Sequence, residues 1–124
     1  MMAGDAVRAV VFDLDGVLVD SEELWDVVRR GLAADAGRSW PAEATRAMQG
    51  MSTGEWSAYL TETVGVPGEP DEVAATVVDR MAAQYDARLP LLPGAVEVVE
   101  RLGHRWPLAL ASSSPRRLID AVLH

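Results

Sequence analysis

The sequence predicts an α/β fold: a partial parallel sheet of two strands, with four helices inserted after the first. Three observations carry this. Val7–Phe12 is a short run rich in β-branched and aromatic residues that stops at Asp13-Leu14-Asp15-Gly16. Trp106–Ala111 is a second apolar run that stops at Ser112-Ser113-Ser114. An amphipathic segment, Ala95–Leu102, returns between them, and a helix that joins two strands of one sheet implies a parallel, right-handed unit.

Each element has its own signal. Val7–Phe12 suits a buried strand. Asp20 is a good N-cap with Glu23 three residues on, and Leu24, Val27, Val28 and Leu32 then repeat at helical spacing up to a stop at Gly37. Pro41 opens a second short helix through Met48, ended by Gly50. Ser52 and Glu55 form another capping-box pair ahead of Trp56, Tyr59, Leu60 and Val64. Beyond the Gly65–Pro70 loop, a fourth helix starts near Asp71 and carries Val73, Val77, Val78, Met81 and Tyr85 on one face. Leu89–Gly94 is a stiff connector, and Gly103 ends the helix Ala95–Leu102. After the second strand, Pro115 takes a first helical position with Ser114 as N-cap, and Leu118, Ile119, Val122 and Leu123 form an apolar face.

Composition bounds the function. The 124 residues are 49% hydrophobic and 24% charged, as in ordinary globular proteins. Cysteine is absent, which removes disulfides and thiolate metal sites. The net charge of −8 argues against nucleic acid or an anionic membrane as partner. All 11 basic residues are arginine. Asp5 and Arg8 ahead of the first apolar run reverse the order of a signal peptide, and no run reaches membrane-spanning length, so a cytoplasmic protein is expected.

Asp13 and Asp15 stand two apart at the end of a strand, where open α/β sheets bind ligands. One carboxylate can serve as nucleophile or metal ligand and the other as acid/base. An Asp-x-Asp pair alone reads equally as loop carboxylates or a helix cap. The apolar strand before it, the glycine after it and the serine cluster at the second strand end favour chemistry. Ser112 ends its strand as Asp13 ends the first, and hydroxyls with free N–H groups before a helix form an anion site. Trp25, Trp56 and Tyr85 read as helical core, and Arg29 and Arg30 as a solvated face. His104 and His124 have no metal partner at ligand spacing. Gly50–Glu55 is read mainly as a helix cap, with substrate contact the lesser alternative.

Val10–Glu22 (Val-Val-Phe-Asp-Leu-Asp-Gly-Val-Leu-Val-Asp-Ser-Glu) resembles the first motif of the haloacid dehalogenase-like hydrolase superfamily, in its phosphoglycolate phosphatase and β-phosphoglucomutase-like branch. Leu108–Ser114 is similar to the second motif, and Leu92–Glu97 to the stretch that re-enters the core domain. The resemblance implies a Rossmann-like core formed by residues 1–16 and 93–124, with a helical cap over residues 17–92. It implies Asp13 as the nucleophile that forms an aspartyl phosphate and Asp15 as the acid/base. Mg²⁺ would be held by the Asp13 carboxylate and the Asp15 carbonyl, and Ser112 and Ser113 would bind phosphate. The implied activity is Mg²⁺-dependent hydrolysis of a small phosphorylated metabolite.

Two departures accompany the resemblance. The family's third motif is a lysine, occasionally an arginine, and the chain has no lysine; after Ser114 it offers Arg116 and Arg117 on a helix start. The later acidic metal ligands have no counterpart, since Asp120 falls mid-helix. The chain therefore reads as truncated, a poor catalyst alone, and partly disordered in its core half, oligomeric or completed by another chain. A phosphomutase of the same branch is the alternative, though family mutases resemble one another in a histidine at the place of Trp25. A non-catalytic fragment that binds phosphate or a partner chain is the other.

Overall fold

The computed structural model describes residues 6–123; Asp5 and His124, named above, lie outside the described residues. Strands β1 (Val10–Asp13) and β2 (Leu108–Ala111) pair in parallel, from Val10 opposite Leu108 to Asp13 opposite Ala111. The expected α/β class and two-stranded sheet are present. The strands are shorter than their apolar runs, because the ladder opens at Val10 N–H donating to the Pro107 carbonyl. They are also less buried than expected. Val10 and Phe12 are half-buried, while Val11 is 64% exposed. A sheet two strands wide offers little cover for either face.

Between the strands lie α1 (Glu22–Asp35), α2 (Ala44–Met48), α3 (Thr53–Tyr59), α4 (Pro70–Ala87) and α5 (Ala95–Gly103), with α6 (Arg116–Leu123) after β2. The predicted periodicities hold. Val28 and Leu32 of α1, Trp56 of α3, and Val73, Val77, Met81 and Tyr85 of α4 are buried in one cluster, with Leu24 packed against it. The helix α3 runs on as a π-helical turn over Leu60–Val64, and Gly65 closes it in the left-handed conformation.

Three helix starts differ from the sequence reading. The α1 helix starts at Glu22, not after an Asp20 cap, because Asp20 N–H donates to the Pro90 carbonyl and is committed to the crossing between the two connectors. The α2 helix starts at Ala44 rather than at Pro41. In α6 the Pro115 carbonyl opens the ladder to Leu118 and Ile119, and the Ser114 hydroxyl is engaged elsewhere. The Ser52–Glu55 capping box is formed with both of its hydrogen bonds.

The connectors on either side of the helical segment are tied together. Asp20 N–H reaches the Pro90 carbonyl at 2.7 Å and Leu92 N–H reaches the Leu18 carbonyl at 2.9 Å. The buried cluster passes this crossing without a break, through Leu14 and Val19, to Leu118 of α6. An ion pair between Arg117 and Asp79 also joins α6 to α4.

Candidate active site

The end of β1 is shaped by a tight loop. The Leu14 carbonyl accepts the N–H groups of Leu18 and Val19, and Gly16 N–H donates to the Val19 carbonyl at 2.8 Å. Gly16 has φ +80, a conformation that a side chain disfavours. Leu14 is only 1% exposed and anchors the loop, which leaves Asp13 and Asp15 on either side of it. Asp13 is exposed, and its Oδ1 accepts the Leu14 N–H at 2.7 Å.

Asp15 is half-buried and more tightly held. Its Oδ1 accepts the Ser21 hydroxyl and its Oδ2 accepts the Ser114 hydroxyl. One carboxylate thus gathers the loop after β1, the start of α1 and the turn after β2. Tyr85 lies against this group: burial pushes its phenol up to about 12, the Asp15 charge adds to the rise, and the nearby Ser21 hydroxyl opposes it.

Ser112 follows Ala111, the register partner of Asp13, so Ser112 and Asp13 stand at neighbouring strand ends. The Ser112 hydroxyl accepts Ser114 N–H at 3.0 Å. Ser113 is exposed and borders a cavity of about 260 Å³. Asp15, Ser21, Ser113, Ser114 and Pro115 line one side of this cavity. Glu22, Trp25, Asp26 and Arg29 of α1, Thr45 and Met48 of α2, the Gln49–Ser52 turn, and Thr53 and Trp56 of α3 line the other. Asp13 and Ser112 stand outside the lining set. Gly50–Thr53 therefore combines two roles, since the segment that carries the capping box also walls the cavity.

The helical wall corrects two expectations. Arg29 is not solvated: it is 9% exposed and packed beside the Trp25–Trp56 pair, with its guanidinium carbon 5.0 and 4.7 Å from the two ring centroids, which are themselves 5.6 Å apart. Trp25 and Trp56 consequently serve the cavity wall as well as the core. Burial lowers the Arg29 pKa to about 10, partly offset by the charge of Asp26, so it stays cationic at neutral pH. Asp26 itself is engaged by Arg30 Nε at 2.7 Å and by the Thr45 hydroxyl at 2.5 Å.

Ser21, Ser114, Tyr85 and Arg29 are site features that the sequence reading did not place. The Trp25–Arg29 spacing of four residues on one helix was a usable signal for Arg29. Tyr85 had none, because it meets Asp15 only through tertiary packing, whereas Ser21 lies six residues on from Asp15 across the loop after β1.

Among the described residues no three Asp, Glu or His side chains gather as a metal cluster. The donors at the loop are nonetheless suitable for a hard cation. The Asp13 carboxylate accepts a single hydrogen bond, at Oδ1, among the described residues, which leaves lone pairs on both oxygens, and the Asp15 carbonyl accepts no backbone hydrogen bond there. Mg²⁺ commonly takes one or two protein oxygens and completes its shell with water and substrate phosphate, so this pair fits it.

Among the described residues no helix is long and apolar enough to cross a membrane. Residues 7–124 match the family described as haloacid dehalogenase-like hydrolase. The chain is 30% identical over 112 residues to the phosphorylated carbohydrates phosphatase of Thermotoga maritima, covering 90% of this chain and 52% of that protein. It is 32% identical over 123 residues to hexitol phosphatase B of Escherichia coli, covering 94% of this chain and 54% of that protein. The chain thus spans about half the length of these curated relatives. Its fold superposes on that of CbbY from Rhodobacter sphaeroides, solved with phosphate, with a TM-score of 0.73 at 23% identity over 94% of this chain and 56% of that one.

Proposed function

Since the chain belongs to the haloacid dehalogenase-like hydrolase family, we propose that it supplies the nucleophile, the acid/base and part of the phosphate site of a phosphomonoester hydrolase. The substrate class proposed is a small phosphorylated metabolite of the sugar or polyol kind, as the names of both curated relatives indicate. The observation that carries this reading is Asp15, fixed by two serine hydroxyls at the C-terminal end of a parallel strand pair and bordering a cavity.

In this reading Asp13 is the nucleophile. A carboxylate oxygen attacks phosphorus, the phosphorus–oxygen ester bond breaks, and the leaving alkoxide takes a proton from the Asp15 carboxyl. Asp15 then accepts a proton from water as that water attacks the phosphorus of the aspartyl phosphate. Inorganic phosphate leaves and the Asp13 carboxylate is restored. Asp13 is free to attack because its hydrogen bond to Leu14 N–H occupies only one oxygen. Asp15 delivers its proton after giving up one serine hydroxyl, since both oxygens are engaged. Ser112 and Ser113 are proposed to bind the phosphoryl oxygens. Mg²⁺, held by the Asp13 carboxylate and the Asp15 carbonyl, would offset the repulsion between aspartate and phosphate. Trp25 on the cavity wall has no acid/base group, which supports hydrolysis over a mutase reaction.

Residues 1–16 and 93–124 are proposed to act as the core, and residues 17–92 as a cap that closes over substrate and excludes water. The paired connectors at Leu18–Asp20 and Pro90–Leu92 are the natural hinge.

The test is hydrolysis of hexitol and hexose phosphates with Mg²⁺. Asp13→Asn removes turnover, and Asp15→Asn lowers it by about 10²–10⁴, the usual contribution of an acid/base. Turnover retained in Asp13→Asn overturns the nucleophile assignment.

A further inference from the structure

Arg29 is the least explained group in the molecule. It is nine-tenths buried, and its Nε is a buried donor with no hydrogen-bond partner. Among the described residues its guanidinium makes neither a hydrogen bond nor an ion pair. The neighbouring carboxylate, Asp26, is already occupied by Arg30 and Thr45. Two neighbouring indole rings contact the cation and recover part of the lost hydration, but a π face does not satisfy an N–H donor. Nε is sealed from the cavity, but the terminal guanidinium nitrogens are not, and they too lack a protein partner among the described residues; since Arg29 lines the cavity, a partner for the cation can arrive from there.

From this cation on the wall opposite Asp15 and Ser113, we infer that Arg29 recognises a second anionic group on the substrate, a carboxylate or a second phosphate remote from the phosphoryl group that is transferred. The inference rests on the phosphomonoesterase reading above and narrows its substrate class.

The surroundings favour this assignment. Most of the charge lining the cavity is acidic: Asp15, Glu22 and Asp26. A substrate with two anionic ends meets favourable partners at two places only, the serine and metal-ligand end and Arg29. The two indole rings hold the guanidinium in place at the cavity wall, and a guanidinium suits a carboxylate or a phosphate. A neutral polyol tail would leave the cation unpaired after the cavity has lost its water.

The experiment is calorimetric titration of the chain, with Mg²⁺ and the Asp13→Asn substitution to prevent turnover, using four probes. These are inorganic phosphate, glycerol 3-phosphate with a neutral tail, 3-phosphoglycerate with a carboxylate, and a hexose bisphosphate. The expected result is at least tenfold tighter binding of one or both doubly anionic esters than of glycerol 3-phosphate. Arg29→Gln removes that preference, while Arg29→Lys keeps part of it. Urea unfolding of each variant shows that it is folded, and Arg29→Met tests whether packing against the rings alone suffices. If Arg29 only staples α1 to α3, Arg29→Gln changes stability and leaves the probe preference intact. That result, or a folded parent that binds glycerol 3-phosphate and the doubly anionic esters equally, overturns the inference and leaves the hydrolase reading standing. Failure of all four probes to bind overturns both.

Discussion

The carboxylate of Asp15 accepts the hydroxyl of Ser114, a residue 99 positions away in the chain. Ser21 holds the other oxygen, so this half-buried acid joins three segments that are otherwise separate. Hydrogen bonds to a charged group contribute about 1.5–3 kcal/mol each. Ser114→Ala and Ser21→Ala are each expected to lower unfolding free energy by about 1–2 kcal/mol, measured in urea. In an Asp15→Ala background both effects shrink toward zero, because the acceptor is gone. Additive losses in the double-mutant cycle would show that the serines act independently of Asp15.

At the start of α3, Ser52 accepts Glu55 N–H at 3.3 Å while the Glu55 side chain accepts Ser52 N–H at 3.1 Å. Ser52→Ala is expected to cost about 1 kcal/mol, the usual worth of an N-cap. The pair also has a pH signature. Hydrogen bonds from Ser52 hold the Glu55 carboxyl below its usual range. Its contribution is complete above the ordinary glutamate value and is lost as pH falls through the lowered one. Comparing the acid limbs of the wild type and Ser52→Ala checks this, since the limb should flatten in the variant.

Met81 of α4 is fully buried, whereas Val11 in the middle of β1 is 64% exposed. Met81→Ala is therefore expected to cost about 2–5 kcal/mol through lost burial and the cavity it leaves. Val11→Thr is expected to stay within about 0.5 kcal/mol, as exposed positions do. Equal losses at the two sites would mean that β1 is covered in solution by something that buries Val11.

These contrasts indicate what was legible in the sequence. Helical periods were, because Val28, Leu32, Val77 and Met81 each bury the face that their spacing defines. The Ser52 cap was, because both its partners lie within one turn. The Asp20 cap was not realised, since the Asp20 N–H serves the Pro90 carbonyl, 70 residues on. Strand burial was overread, because an apolar run records what a strand can bury and not what is there to cover it. At the site, the strand-end motif located Asp13 and Asp15 from local sequence. Their environment depends on Ser114 and Tyr85, which only folding brings close. Arg29 was misread because a charge next to Val28 looks solvated until Trp56, from a different helix, closes over it.

Alkaline titration offers the last prediction, and the composition makes it clean. The chain has no lysine and only two tyrosines, so few groups titrate between pH 9 and 11. Tyr85 ionises near 10 when unfolded and near 12 in the fold. From pH 10 to 12 the native state therefore keeps a proton that the unfolded state has lost, and stability falls as pH rises. Arg29 runs the other way: burial lowers its pKa from the ordinary arginine value, which lies above this range, to about 10 in the fold. Over that range the unfolded state holds the extra proton, and stability rises. By pH 11 each term is on the order of 1 kcal/mol, and the two are opposite in sign. Urea unfolding at pH 9 and pH 11 separates them. Tyr85→Phe is expected to gain about 1 kcal/mol over that interval relative to the wild type. Arg29→Gln is expected to lose about the same. Tyr59 and the remaining arginines are common to all three chains and drop out of the differences. Parallel pH slopes for wild type and Tyr85→Phe would mean that the phenol is not buried beside the Asp15 carboxylate.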